Sequence, residues 1–199
     1  MNYPTTICNL IECFKKLPGV GEKTAERLAL STLNLNEEII ELFSTSLKDT
    51  KTKIKKCDKC GNLTESDYCN ICTDNTRDEN IICVVEESKN IVLFEKLGTF
   101  HCRYHVLAGL INPLDGINPE DINLSSLIKR IKEDNIKEII LAIKPSVEGE
   151  TTALYISKLL EKTNVIVSKI AYGVPMGADI DYIDPITLSI ALDGRMKIS

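Results

Sequence analysis

Four cysteines in two closely spaced pairs form the clearest chemical pattern in the sequence. Cys57 and Cys60 make one CxxC pair, and Cys69 and Cys72 make a second pair after eight intervening residues. Each pair can bend around one ion, and four thiolates fill the tetrahedral shell of zinc without leaving a position for water. We therefore predict one structural zinc ion per chain, with redox-active dithiols or a chance spacing as the alternatives. The other cysteines lack paired spacing and are expected to be small buried apolar residues: Cys8, Cys13, Cys83 and Cys102.

A glycine-containing turn that opens directly into a helix is the second chemical pattern. Residues 17–25 read LPGVGEKTA, in which Gly19 and Gly21 let backbone amides approach a phosphate. The free N–H groups and the dipole at the start of a helix favour that anion. Lys23 and Arg27 lie four residues apart on one helix face and could hold neighbouring phosphates. The pattern matches the helix-hairpin-helix motif and predicts sequence-independent contact with the DNA backbone; a plain turn between two helices is the alternative.

A run of lysines follows this turn. Between Lys48 and Lys59 there are six lysines and two aspartates, which leaves a local charge of +4 in a chain whose net charge is −5. The negative total argues against a uniformly basic nucleic-acid binder, because phosphate binding is driven by Lys and Arg. A solvated helix face is the alternative explanation of the run. The predicted DNA-binding residues are Gly19, Gly21, Lys23, Arg27, Lys51, Lys53, Lys55 and Lys56.

The N-terminal third is predicted to be wholly helical. Apolar residues at helical spacing predict one helix over residues 5–17 and a second after the break at residues 18–21. Asn36, followed by two glutamates, is a candidate N-cap for a third helix. We expect this third helix to turn its apolar side chains inward: Ile40, Phe43, Leu47 and Ile54.

The pattern changes to alternating strands and helices from Asn80 onward. Short β-branched runs at residues 81–85, 138–143 and 165–167 predict buried strands, and helical patterns at 124–132 and 151–160 lie between them. This alternation favours a parallel or mixed sheet, in which working residues lie at the carboxyl ends of the strands. Residues 173–199 contain a Gly/Pro loop and a short helix near 186–192. This stretch could form either an edge element of the domain or an arm exchanged between chains. The predicted fold class is multidomain α+β.

Composition adds few constraints. With 43% hydrophobic and 27% charged residues, the chain has the balance of a globular protein. It contains no apolar run near the roughly 20 residues that span a bilayer, and its first residues lack a signal peptide's regions, so we expect a cytoplasmic protein. No GxxxxGK[ST] phosphate loop is present, and ATP hydrolysis is not expected.

Taken together, the motifs resemble the RecR family of bacterial recombinational-repair proteins over nearly the whole chain. The glycine turn and the four-cysteine module are followed, in the family's order, by short motifs at residues 82–86, 104–109, 113–117, 148–153 and 191–195. The resemblance implies a helix-hairpin-helix unit at 1–55, a four-cysteine zinc finger at 56–78 and a C-terminal segment at 173–199. Residues 79–172 would form a Toprim domain with a mostly parallel sheet.

The resemblance also implies how such a chain works. It implies a homo-oligomer of two to four copies, a ring or clamp on DNA, located in the cytoplasm at the nucleoid. RecO, RecF or both would be its partners, and it would help load recombinase at gaps. The C-terminal segment would be an oligomerisation arm.

Toprim enzymes hold magnesium with a glutamate after the first strand and an Asp-x-Asp pair after a later one. Glu86 matches the glutamate, but Lys144-Pro145-Ser146 stands where the pair is expected. We therefore expect a non-catalytic protein, with at most weak, non-catalytic magnesium binding. The alternatives are a magnesium-dependent Toprim nuclease or strand-transfer enzyme and a purely protein-binding scaffold. The expected acidic partner surface comprises Glu86, Lys144, Glu148 and Glu150.

Histidines and tyrosines in this half carry weaker signals. His101 and His105 flank Cys102, but the predicted zinc ion already has four better ligands, so packing or partner contact is favoured over ligation. Tyr172 and Tyr182 lack a neighbouring general base or metal. We expect both tyrosines to be interface or DNA-stacking residues.

Overall fold

The computed structural model describes residues 3–195 and divides into two compact units, one ending at Ile54 and one beginning at Lys55. The outermost residues of the predicted terminal segments, 1–2 and 196–199, lie outside this description. Within the described residues, no helix is long and apolar enough to cross a lipid bilayer. The α+β fold class predicted from the sequence is confirmed.

The first unit is helical, as predicted. Helix α1 spans Thr5–Lys15, α2 spans Glu22–Ser31, a short 3₁₀ turn follows, and α3 spans Glu37–Lys53. Its core lies between α1 and α2, where Ile11 packs against Ala25 and Ala29. Small alanines allow the two helices to approach closely across the glycine turn.

Helix α3 begins where the sequence predicts but does not bury its apolar residues. The Asn36 side chain accepts a hydrogen bond of 2.9 Å from the Ile39 amide, which is the predicted N-cap. No residue of α3 is buried: Phe43 is 47% and Leu47 is 59% exposed, and Ile40 and Ile54 are also exposed. The expected inward orientation is therefore wrong within one chain, because α1 and α2 form the buried core of this unit without α3.

The second unit begins with a small cysteine-containing module. Strands β1 (Lys55–Lys56) and β2 (Leu63–Thr64) pair antiparallel, and the short helix α4 spans Asn70–Thr73. The remaining elements alternate, as predicted for this half of the chain. They are β3 (Asp78–Val85), α5 (Ser88–Glu95), β4 (Cys102–Val106), α6 (Leu124–Glu133), β5 (Glu138–Ala142), α7 (Val147–Leu160), β6 (Ile166–Lys169) and α8 (Pro185–Asp193).

The four long strands form one parallel sheet with the order β4-β3-β5-β6. Successive side chains of β3 point to opposite faces: Ile82 and Val84 join the core under α6 and α7, whereas Cys83 and Val85 join the core under α5. Both faces of the sheet are covered, which is why the central strands β3 and β5 contain continuous apolar runs. The sheet therefore brings the carboxyl ends of β3 and β5 side by side.

Strand β4 was not predicted, because its sequence CRYHV carries three polar side chains. All five residues are nevertheless buried. Tyr104 donates a hydrogen bond of 2.8 Å to Glu95, Arg103 forms an ion pair with Glu79, and His105 Nε2 donates to the Asn123 carbonyl at 2.8 Å. Partners distant in the sequence thus bind polar side chains that looked unsuited to a buried strand, although Arg103 Nε and His105 Nδ1 have no hydrogen-bond partner among the described residues.

We predict that His105 makes the stability of the fold depend on pH. Burial, with a smaller contribution from Arg130, lowers the pKa of His105 to about 4, although its hydrogen bond to Asn123 acts in the opposite direction. An unfolded histidine binds its proton near pH 6.5. The unfolded chain therefore takes up a proton that the folded chain excludes, and the free energy of unfolding should fall by roughly 2 kcal/mol between pH 7.5 and 5.

Urea unfolding at a series of pH values, with zinc in excess, measures this dependence. A His105→Gln variant should lose that part of the pH dependence, whatever its stability at pH 7.5. A variant of the exposed His101, His101→Gln, should keep it. Equal pH profiles for His105→Gln and the unsubstituted protein would contradict the assignment.

Candidate metal centre and nucleic-acid interface

Local backbone turns bring the two cysteine pairs together. The Cys57 carbonyl accepts a hydrogen bond of 2.9 Å from the Gly61 amide, and Gly61 adopts a φ of +75°, which a glycine tolerates readily. Cys69 is the N-cap of α4, and Cys72 lies in that helix. Backbone amides also point at sulfur: the Cys69 amide donates to Cys57 Sγ at 3.3 Å and the Asn62 amide to Cys60 Sγ at 3.4 Å. Such contacts stabilise thiolates.

The sulfur atoms have the spacing of a four-thiolate metal site. All four Sγ atoms lie within 4.8 Å of one another, and those of Cys60 and Cys69 are 3.6 Å apart. Tetrahedral zinc with Zn–S bonds of about 2.3 Å requires sulfur separations of about 3.8 Å. The contact between these two sulfur atoms lowers the pKa of the Cys69 thiol and raises that of Cys60, so Cys69 is the one of the pair that is favoured as a thiolate. The donor set fits zinc, which would hold the module together and leave no position for substrate.

The cysteine module is joined to the edge of the parallel sheet. The Val106 amide, at the end of β4, donates a hydrogen bond of 2.8 Å to the Cys60 carbonyl. Lys59 forms an ion pair of 2.8 Å with Asp134 beyond α6. A side chain at Gly61 would meet Asn123 Nδ2 at 2.7 Å, so the two parts approach within contact distance there. The fold of the cysteine loop therefore determines how the β4 edge is covered.

The glycine turn between α1 and α2 has the geometry expected of an anion-binding turn. Gly19 has a φ of +79°, and Gly21 is the N-cap of α2. In residues 3–195 no acceptor bonds the amides of the first three residues of α2, at positions 22–24. Lys23 and Arg27 are exposed, and neither forms an ion pair with any residue that the structure describes. The amides and both cations are thus available to a phosphate.

The predicted basic residues after the turn differ in their partners. Lys53 pairs with Asp49 at 2.6 Å, and Lys55 pairs with Asp67. Lys51 and Lys56 are exposed and form no ion pair within the described part of the chain. Exposed ion pairs contribute little free energy, so Lys53 and Lys55 could exchange their carboxylate partners for a phosphate.

The four residues expected at the carboxyl end of the sheet do not converge on one point. Glu86 Oε1 lies 3.7 Å from Lys144 Nζ, and Glu150 pairs with Lys169 at 3.0 Å. Glu148 accepts a hydrogen bond of 2.5 Å from Ser146, which lowers the pKa of the Glu148 carboxyl. Among the described residues, the four cysteines are the one group of three or more potential ligands. This edge does not fit the magnesium site of a Toprim enzyme, because an ammonium group is the neighbour of Glu86.

The remaining candidates separate into buried and exposed residues. Cys83 and Cys102 are buried as predicted, whereas Cys13 is exposed and Cys8 is partly exposed, so the prediction is wrong for the pair on α1. Both of these residues lie on a short helix whose buried position is Ile11. Tyr182 is 89% exposed, and the Tyr172 ring stacks under Lys169 Nζ at 4.9 Å.

Sequence reasoning missed the residues that connect the site to the sheet. Asn123 Nδ2 donates to the Val106 carbonyl at 3.0 Å, and Arg130 donates to the Tyr104 carbonyl at 2.7 Å. Arg77 donates to the Cys102 carbonyl at 3.2 Å and pairs with Glu95. Each contact spans 17 residues or more of sequence, and no local pattern marks its members.

We predict that removing one thiol unfolds the cysteine module. Cys60→Ser should abolish the single bound zinc and destabilise the second unit by at least about 3 kcal/mol, because structural zinc contributes folding free energy directly. Metal analysis by mass spectrometry and thermal melts measure both effects. Cys83→Ser, which changes a buried thiol outside the cluster, should retain one zinc per chain. Full zinc occupancy in Cys60→Ser would contradict the assignment.

Comparisons with known proteins agree with this geometry. The sequence matches four family profiles: the RecR helix-hairpin-helix at residues 7–51, the RecR four-cysteine zinc finger domain at 54–74, the Toprim domain at 80–171 and the RecR C-terminal region at 173–196. It is also 47% identical to the "Recombination protein RecR" of Staphylococcus aureus (strain Mu3 / ATCC 700698) over 198 residues, which cover 100% of both chains. The chain therefore belongs to the RecR family of recombination proteins.

Proposed function

We propose that this chain serves recombinational DNA repair as a non-catalytic subunit that holds the DNA backbone and acts through partner proteins. Family membership supports the role in recombinational repair. The observation that carries the DNA-binding mechanism is the glycine turn, where open amides at the start of α2 stand beside the exposed Lys23 and Arg27. Amides and cations of this kind bind phosphate without reading bases.

Exposed apolar surface supports assembly into a homo-oligomer of two to four copies. Helix α3 exposes Leu42, Phe43 and Leu47, and α8 buries none of its residues although it is apolar on all sides. A helix that is hydrophobic all round is normally covered. A second copy that carries the same surfaces can cover them through a two-fold axis. We infer a ring or clamp in which residues 173–199 form an oligomerisation arm.

Assembly would also increase the number of phosphate contacts, which is small for a single glycine turn. Two cations and a few amides hold one chain weakly at physiological salt. Linking several copies makes each later contact intramolecular, so the affinity of the assembly exceeds that of one turn by orders of magnitude. A closed ring would also retain DNA topologically.

The sheet edge supports a partner-binding role in place of catalysis. Lys144 supplies a positive charge beside Glu86, where an enzyme of the Toprim class needs a metal held by several carboxylates. Glu86, Glu148 and Glu150 remain as an acidic surface at the end of the sheet. We propose RecO, RecF or both as the proteins that meet the chain, in the cytoplasm at the nucleoid, to load recombinase at gaps.

We predict that charge reversal at the turn weakens DNA binding. Lys23→Glu combined with Arg27→Glu should lower the affinity for a mixed-sequence duplex at least about tenfold. It should also reduce the slope of log K against log salt by about 2, since each phosphate contact contributes about 0.9. Fluorescence anisotropy titrations at several salt concentrations measure both quantities.

The matched control is Lys158→Glu with Lys162→Glu, which makes the same change in net charge on exposed residues of and after α7. This control should retain nearly full affinity. Unchanged binding by the Lys23/Arg27 variant would contradict the mechanism. Magnesium-dependent cleavage of the DNA that disappears in Glu86→Ala would contradict the non-catalytic assignment.

We predict that acidic residues on the apolar face of α3 reduce the size of the assembly. Phe43→Glu with Leu47→Glu should lower the particle mass in light scattering and weaken DNA binding, because charged side chains cannot be buried between copies without a large desolvation cost. Thr45→Glu with Thr52→Glu adds the same charge to the opposite face and should leave the mass unchanged. If Phe43→Glu with Leu47→Glu has the same particle mass as the unsubstituted protein, α3 is not part of the interface.

A further inference from the structure

Lys15 joins the two helices that flank the glycine turn. It is the last residue of α1, and its Nζ lies 2.8 Å from Glu12 Oε1 and 2.8 Å from Glu22 Oε2. Glu12 lies one turn earlier on the same helix, whereas Glu22 is the first residue of α2. The hydrogen bonds with Glu12 and then Glu22 raise the pKa of Lys15, so its ammonium stays charged. The single ammonium group of Lys15 thus forms ion pairs with a carboxylate on each helix of the hairpin.

Glu22 occupies an unfavourable place for a DNA-binding turn. Its carboxylate belongs to the first turn of α2, beside the open amides at positions 22–24. A negative side chain near a helix N-terminus is attracted to the same amides and dipole that would receive a phosphate. It would also repel that phosphate directly. An unrestrained Glu22 would therefore compete with DNA for this end of the helix.

The structure shows Glu22 engaged elsewhere. Its carboxylate, which is about half exposed at 46%, points to Lys15. It accepts no hydrogen bond from a backbone amide in the described chain, and Gly21 provides no side-chain cap. The carboxylate thus pairs with the ammonium of Lys15, and the amides at positions 22–24 stay unbonded within the described residues.

We propose that Lys15 is a positioning residue for DNA binding: it restrains and neutralises Glu22, so that the start of α2 remains open to the phosphate backbone. This inference rests on the proposed function of the glycine turn. Lys15 acts through Glu22 and makes no phosphate contact of its own. It therefore differs in role from Lys23 and Arg27.

A four-member substitution cycle in the full zinc-loaded chain tests the proposal. The variants are Lys15→Met, Glu22→Gln, the combination of both, and Lys15→Arg. A fluorescent mixed-sequence duplex is the probe. Lys15→Met should bind about fivefold more weakly at low salt, the size expected for one like-charge contact a few ångströms from a phosphate in water. Glu22→Gln should bind at least as tightly as the unsubstituted protein.

The combined variant provides the decisive comparison. Removing the Glu22 charge should abolish the effect of Lys15→Met, so the combined variant should bind within about twofold of Glu22→Gln. Lys15→Arg, which can still pair with both carboxylates, should retain full affinity. Thermal melts establish that each variant is folded, and Lys129→Met, at an exposed lysine that pairs with Glu133 on α6, should bind normally.

Three outcomes would overturn the proposal. Equal losses from Lys15→Met with and without the Glu22→Gln substitution would make Lys15 a direct phosphate ligand. If Glu22→Gln lowers the affinity for DNA as much as Lys15→Met does, the ion pair serves only the stability of the hairpin. Normal binding by Lys15→Met, while Lys23→Glu with Arg27→Glu still loses affinity, would refute the role of Lys15 and leave the proposed function intact.

Discussion

The backbone polar groups along the outer edge of β4 must find partners, and much of the second unit is arranged to supply them. The strand is buried, so an unpaired amide or carbonyl there would cost about as much as a lost hydrogen bond. The Val106 amide donates to the Cys60 carbonyl, and three side chains donate hydrogen bonds to the carbonyls of the strand: Arg77, Asn123 and Arg130. The cysteine loop is therefore part of the wall of the parallel sheet, and metal binding at this loop stabilises more than the loop itself.

Charge pairing then decides which residues of the chain are available to other molecules. At the carboxyl end of the sheet, the acids have internal partners: Lys144 for Glu86, and Lys169 for Glu150. At the glycine turn the arrangement is reversed, since Lys15 takes up the nearby acid and Lys23 stays exposed. A chain with a net charge of −5 can thus expose a local group of cations at the glycine turn, the surface that we propose for DNA.

The incomplete burial of apolar helices is the feature of the fold that underlies the proposed assembly. The first unit has a small core between α1 and α2, and it leaves the long helix α3 exposed. Surface of this kind is expensive in water and characteristic of interfaces. If copies of the chain assemble through that surface, as we propose, DNA binding would depend on the number of copies. The proposed assembly would therefore serve both the stability of these helices and the binding of DNA.

The sequence by itself determined the cysteine module, the glycine turn, the Asn36 cap and strands β3 and β5, because each depends on residues that are neighbours in the chain. It also indicated that Lys144 replaces an expected acid. Only the tertiary structure decided that CRYHV forms a buried strand, that Cys13 and the apolar side of α3 are exposed, and that Lys15 holds Glu22. These features depend on partners distant in sequence, and a local pattern carries no information about which polar group will meet which.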